Sequence, residues 1–176
     1  MAYTVEELKK IGEDWVNDWA NHRSEQAMKL FAQDVEYVGP IRKFKGYDNV
    51  VAFVNGFFKS YPDEVWHFRA SYADAESQTL IIEWDDTARM TNPWAVPTGE
   101  AIQPTGRQYH YVGCDVIKLN EDGKIYHWEE YFDCMTMMLQ LGIAKEFIEA
   151  MPAMVQEDTA EKMTSTIEEG DEVELS

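Results

Sequence analysis

The sequence predicts one α+β domain: a curled antiparallel sheet with helices packed on one face. Three observations carry that prediction. Up to Tyr61, apolar residues recur at helical spacing. After Pro62 the apolar period changes to two, as in strands. Asn120-Glu121-Asp122-Gly123, set between two alternating runs, is a hairpin signal. A length of 176 residues suits a single domain, expected over residues 1–156.

Thr4 and Glu7 have capping-box spacing, and Val5, Leu8, Ile11, Trp15 and Trp19 then line one face of a helix to Asn21. Ser24 opens a second, shorter helix carrying Ala27, Met28, Leu30 and Phe31. Val35 to Val38 reads as a short strand, stopped by Gly39-Pro40. A third helix, from about Asp48 to Tyr61, has a wide apolar face of Val50, Val51, Phe53, Val54, Phe57 and Phe58. Strands are expected at 65–73 and 78–90, joined by a turn at 74–77. Residues 91–105 contain three prolines and Gly99 and read as a loop. Strands at 106–119 and 124–133 flank the hairpin turn. Asp133 is placed to cap a helix at 135–141, Gly142 to end it, and a further helix follows at 143–151.

Fifteen Lys and Arg against 33 Asp and Glu leave a net charge of −18. Nucleic-acid binders and peripheral membrane proteins present a basic face, so neither partner is expected. No apolar run is long enough for a transmembrane helix. The N-terminal MAYTVEELKK lacks the layout of a secretory signal, and Cys114 and Cys134 make no disulfide framework. Both point to a cytoplasmic protein with reduced thiols. Residues 157–176 carry −7 of the net charge and few large apolar side chains, which predicts a flexible acidic tail. His22, His67, His110 and His127 have no zinc-type spacing with Cys or acidic partners, so no metal is expected. No P-loop, dinucleotide fingerprint or nucleophile elbow is present.

The last third carries motifs in a recognisable order: Pro104-Thr105-Gly106-Arg107, Gly113-Cys114-Asp115-Val116, Asp122-Gly123-Lys124-Ile125, Trp128-Glu129-Glu130-Tyr131-Phe132-Asp133 and Gln140-Leu141-Gly142. In these the chain resembles the SnoaL-like branch of the nuclear transport factor 2-like superfamily. That branch includes polyketide cyclases, and its relatives include ketosteroid isomerases and limonene epoxide hydrolases. The layout agrees over roughly residues 5–145. The resemblance implies a cone-shaped antiparallel sheet wrapped around the first and third helices, enclosing an apolar pocket. It also implies no metal, no organic cofactor and a homodimer.

Alternate side chains of a strand share a face. In the last strand Tyr126, Trp128, Glu130 and Phe132 form one row, with His127, Glu129, Tyr131 and Asp133 on the other. A carboxyl flanked by Trp and Phe in a pocket is poorly solvated; its pKa rises toward the range of a general acid or base. Epoxide hydrolase relatives place their catalytic Asp in W-R-D-Y-F-D where this chain has Glu130. The alternative for Glu130 is an ion pair within the sheet. Asp115 shares its row with Tyr109, Tyr111, Gly113, Ile117 and Leu119, at the spacing of the oxyanion-binding Asp of ketosteroid isomerase. Its alternative is a structural hydrogen bond. Counted back from Asp122-Gly123, Asp115 and Glu130 fall nearly opposite each other, within reach of a common ligand.

Asp86 is the third catalytic candidate. It matches the Asp of an epoxide hydrolase Arg-x-Asp, with Trp84 where the Arg would stand. Tyr37 matches the water-positioning Tyr of that family, with Gly39 in place of the expected Asn. The isomerase base, an Asp, is absent. Trp15, Trp19, Phe57, Trp84, Tyr111, Trp128 and Phe132 are the remaining expected substrate-binding residues. His110 and His127 are expected on the opposite face, and Met135, Met137 and Met138 in core packing.

Three functions fit. The first is a cofactor-independent acid/base enzyme acting on a small hydrophobic molecule, a cyclase or isomerase of polyketide, terpenoid or steroid type. The second is an epoxide hydrolase of the limonene type. The third is a non-catalytic ligand- or protein-binding module. A pocket with convergent carboxyls favours catalysis; acids salt-bridged outward from a filled core favour a module.

Overall fold

The computed structural model describes residues 2–21, 23–40, 42–94 and 101–154. His22 and the acidic tail at 157–176 lie outside the described residues. The elements run α1 (Val5–Ala20), α2 (Ser24–Met28), β1 (Phe31–Val38), β2 (Lys43–Lys45), α3 (Tyr47–Ser60), β3 (Val65–Asp74), β4 (Thr79–Arg89), β5 (Gln108–Leu119), β6 (Ile125–Phe132), α4 (Cys134–Leu141) and α5 (Ala144–Met154). One curved six-stranded sheet has the order β2-β1-β6-β5-β4-β3. The α+β class and the bent sheet with helices on it are therefore as the sequence predicts.

The helix caps explain where the helices begin and end. The Thr4 hydroxyl accepts from the Glu7 N–H while the Glu7 carboxylate accepts from the Thr4 N–H, so two orphan donors are satisfied at once. Asp133 caps α4 by accepting from the Thr136 N–H at 3.0 Å, and Gly142 ends it at φ 75°, where a side chain is disfavoured.

α1 buries Leu8, Trp15, Val16 and Trp19 against β3 and β4. It can lie this close because Gly12 faces the sheet. A Cβ there would meet Leu80 Cδ1 at 3.0 Å and Ile82 Cγ1 at 3.1 Å. Gly12→Leu should therefore destabilise the fold. Overpacking costs about 1–3 kcal/mol, and the gain in helix propensity, roughly 1 kcal/mol, recovers part of it. Urea unfolding checks this; a variant as stable as the parent would show that α1 can move off the sheet freely.

The structure corrects the expected layout in four places. β1 begins at Phe31, so Leu30 and Phe31 leave α2, which ends at Met28. A two-turn apolar run fits either period, and pairing of Phe31 with Ile125 decides for the strand. The short strand β2 has too little alternation to be visible in sequence; it pairs with β1 through Tyr37 and Phe44. β1 runs parallel to β6 while every other neighbouring pair is antiparallel. No hairpin joins β1 to β6, so the long connection is free to bring them together in the same direction. Finally, a register shift between Lys118 and Leu119 breaks the alternation of β6 at its start. Ile125 points inward and Tyr126 is exposed, so Tyr126 leaves the expected inner row, while Trp128 and Glu130 keep to it.

Candidate active site

β5 and β6 pair in the register that makes Asp115 and Glu130 direct partners, Tyr37 of β1 pairs with Trp128, and Asp86 of β4 pairs with Tyr111. Inward side chains of β1, β4, β5 and β6 thus converge beneath α1 and α3. A cavity runs between them, lined by Trp19, Tyr37, Phe53, Phe57, Trp66, Trp128 and other apolar groups. Its volume open to water centres is about 60 Å³. One water needs roughly 10–15 Å³ on that measure, so the space suits several waters or a slim ligand.

Glu130 is the one acid in the cavity wall among the described residues, and it is 9% exposed. The Tyr37 hydroxyl donates to its Oε2 at 2.6 Å. Burial holds the Glu130 carboxyl well above the usual carboxylate range; nearby Asp115 and Asp86 push it further, and the Tyr37 hydrogen bond opposes them. Its surroundings therefore favour the neutral acid over the carboxylate. The Tyr37 hydroxyl reaches it because residue 39 is glycine: a Cβ there would collide with that hydroxyl. The Asn-to-Gly departure noted in the sequence makes room for the Tyr37–Glu130 contact.

Asp115 lies behind this wall, not in it. It is fully buried, and the Trp15 indole N–H donates to its Oδ2 at 3.3 Å. The indoles of Trp128 and Trp84 also favour its ionised form, although neither N–H meets the geometry of a full hydrogen bond. Burial raises Asp115 to about 7 against these three donors. Its charge is felt by Glu130, but a ligand in the cavity meets Trp128 first.

Asp86 is likewise out of the cavity wall. The hydroxyls of Tyr109 and Tyr111 both donate to its Oδ2 at 2.9 Å, and burial raises it to about 7. Beside it sits Glu64, 1% exposed, which accepts from the Trp66 indole at 2.6 Å. Burial, then Asp86, pushes the Glu64 carboxyl well above its ordinary range. Glu64 escaped the sequence reading because it precedes its strand in a turn, where acids are usually solvated. Its one signal is Trp66 two residues on.

Of the expected substrate-binding residues, Tyr37, Trp19, Phe57, Tyr111, Trp128 and Phe132 line the cavity. Trp15 and Trp84 do not; they pack behind it in the core. Trp84 lies over Gly113, where a Cβ would collide with its ring. Arg42, Trp66, Trp94 and Cys134 are cavity residues that the sequence reading missed. His110 and His127 sit on the outer side of the sheet, beside Asp85 and Glu36 respectively. Met137 and Met138 are buried where α4 closes the cavity, whereas Met135 is exposed. Burial raises the Cys134 thiol to about 12, so it stays protonated. No group of three His, Cys, Asp or Glu is placed to hold a metal among the described residues. No helix there is long and apolar enough to cross a membrane.

Solved structures share this architecture. AclR from Streptomyces galilaeus, a candidate hydroxylase, superimposes with a TM-score of 0.66 at 16% identity, covering 79% of this chain and 98% of its own. A candidate SnoaL-like polyketide cyclase from Jannaschia sp. CCS1 gives 0.63 at 10% identity over 76% and 93%. An epoxide hydrolase of M. tuberculosis, similar to limonene epoxide hydrolase, gives 0.60 at 14% identity over 82% and 96%. At these identities the likeness is one of fold. No curated protein matches the sequence. The model of the SnoaL-like domain matches residues 13–128, about two thirds of the chain, and the protein belongs to the SnoaL-like family.

Proposed function

We propose that this protein is a cofactor-independent proton-transfer enzyme for a small hydrophobic carbonyl compound, a cyclase or isomerase of polyketide, terpenoid or steroid type. The observation that carries the reading is Glu130: a buried carboxyl in the wall of a largely apolar cavity, raised well above the usual carboxylate range by that burial, with one oxygen held by Tyr37. Tyr37 occupies Oε2, which leaves Oε1 for a substrate. Glu130 gives its proton to the carbonyl oxygen and takes one from the adjacent carbon. The carboxylate formed between the two transfers is held by the Tyr37 hydroxyl. The net change is carbonyl to enol, with Glu130 neutral again at the end. Enol formation serves ring closure, double-bond migration and dehydration alike.

The test is deuterium uptake at the carbon next to the carbonyl, followed by NMR in D₂O with apolar ketones of the three classes. Uptake above the buffer rate that is lost in Glu130→Gln supports the reading; buffer-rate uptake with every ketone counts against it. Tyr37→Phe should slow exchange less than the Glu130 change. Removing the hydrogen bond that favours the ionised form should also shift the Glu130-dependent limb of the pH–rate profile upward. A limb that stays in place would mean Tyr37 only fills space.

The epoxide-hydrolase reading is weaker here. Trp84 stands where that chemistry needs an Arg, and Asp86 is held by two tyrosines away from the cavity.

A further inference from the structure

The strands that carry Tyr37 and Glu130 part at Glu130. β1 and β6 stay paired up to Val38 and Glu129. The Gly39 N–H then donates to the Arg42 carbonyl at 2.8 Å, which turns the chain away from β6. Gly39, Pro40, Glu130 and Phe132 border both the cavity and an open surface depression that also touches exposed Tyr131. Glu130 therefore stands at the mouth of the cavity. The wall away from the mouth is apolar, with Trp19, Val54, Phe57, Trp66, Met137 and Met138. An apolar body gains by lying on that inner side, while its carbonyl stays at the mouth.

The inner space has the size of one ring. Its 60 Å³ open to water centres corresponds to about four to six waters, or roughly 120–180 Å³ of liquid. A cavity of about 150 Å³ holds benzene. A second layer of rings keeps the space from widening. Trp66 stacks on Trp84 with ring centres 4.5 Å apart, and Trp19 lies between Trp66 at 5.5 Å and Phe58 at 5.1 Å. Trp128 meets Trp15 edge-on at 5.4 Å, Phe53 stacks on Phe44 at 4.8 Å, and Trp94 stacks on Phe147 at 6.1 Å. Trp15, Phe44, Trp84 and Phe147 are buried outside the cavity wall, so the wall rings cannot move outward without displacing close-packed neighbours. The side chains best able to yield are Met137 and Met138 of α4, since methionine adapts its shape. Both are buried as well and have no free surface to swing into.

We propose that the site takes ketones with a single ring, held with the carbonyl at the mouth on Glu130 and the ring inward, and that Met137 and Met138 set this upper size limit. The proposal rests on the reading of Glu130 as the acid for a hydrophobic carbonyl compound. Among such compounds it selects those with one ring over fused polycycles.

The experiment measures binding of two matched pairs: methyl phenyl ketone with methyl naphthyl ketone, and methyl cyclohexyl ketone with methyl decalyl ketone. Four of the six tryptophans line the cavity, so titration of the indole N–H resonances in ¹⁵N-labelled full-length protein reads occupancy. On an open apolar surface the larger ketone of each pair would bind tighter. Here the one-ring ketone should bind at least about 10-fold tighter, within the range for overpacking a filled site. Met137→Ala or Met138→Ala should reduce that ratio at least about threefold by opening space behind the ring. Should either variant fail to fold, valine at that position, a smaller truncation, should reduce the ratio in part. Leu139→Ala, exposed on the same helix, should leave the ratio unchanged. A smaller ratio in either wild-type pair overturns the proposal, as does the lack of saturable shifts with the one-ring ketones at about 10 mM. Folded variants at both methionines that keep the wild-type ratio overturn it too. So does a Leu139 variant that lowers the ratio equally, which would trace the effect to loosening of α4. Binding is read without turnover. A failed size order leaves the Glu130 reading standing, and buffer-rate deuterium uptake with the size order intact counts against Glu130 alone.

Discussion

Glu130→Gln should remove most turnover while leaving the protein folded. Gln keeps the size of Glu, and its amide oxygen can still accept from Tyr37 as Oε2 does at 2.6 Å. What it loses is a transferable proton. Removing a positioned acid or base costs about 10²–10⁴-fold in rate, so exchange into an active ketone should fall by that factor. The substitution also removes a group whose ionised form burial disfavours, so the variant should melt no lower than the parent at pH 8. Loss of rate with an unchanged melt separates chemistry from folding. Wild-type activity should fall as pH rises through the Glu130 pKa, because the resting acid is then spent before substrate arrives. Near-full activity in the variant would end the assignment and turn attention to Asp86 and Tyr37.

How far the site was legible in the sequence depends on what each inference needed. The pairing of Asp115 with Glu130 needed only the hairpin turn and a count of residues, and the register agrees. Whether both acids open onto one cavity needed more. Strand alternation says which face a side chain is on, not what covers it there. Asp115 is inward as expected but lies behind Trp128. Tyr126 illustrates the other failure, since one register shift moved it off the row that Trp128 and Glu130 kept. Arg42 and Glu64 stand outside any periodic run, so no pattern marks them. Both are nevertheless buried, Arg42 after β1 and Glu64 after α3. The Gly39 departure from the family pattern counted against a site until the structure showed the Tyr37 hydroxyl filling the space of its missing side chain.

Four buried carboxyls should make this fold more stable in mild acid than in mild base. Asp86 and Asp115 are raised from 3.8 to about 7, and Glu64 and Glu130 are held well above 4.5, in each case chiefly by burial. Below about pH 4 these groups are protonated both folded and unfolded, and folding costs nothing on their account. Between about pH 4 and 7 the unfolded chain releases protons that the folded chain keeps. Stability then falls by up to about 1.4 kcal/mol per pH unit per group. For Asp86, with no exposed surface, the accumulated loss by pH 8 is on the order of 4 kcal/mol. At roughly 2–4 °C per kcal/mol this shifts the melting point by about 10 °C. At the acid end Glu7, Asp74 and Asp133, each lowered by local hydrogen bonds, lose those bonds once protonated, so stability turns down again below about pH 4. Melting curves from pH 3 to 9 should therefore peak near pH 4–5. Asp86→Asn is the discriminating variant. Its amide oxygen can accept from Tyr109 and Tyr111 as Oδ2 does, so those two hydrogen bonds survive while the titration does not. The variant should melt above the parent at pH 8 and close to it at pH 4. A wild-type melting point that rises from pH 5 to 8, or an Asn variant whose profile runs parallel to the parent, would show that Asp86 is ionised and well solvated in the folded protein.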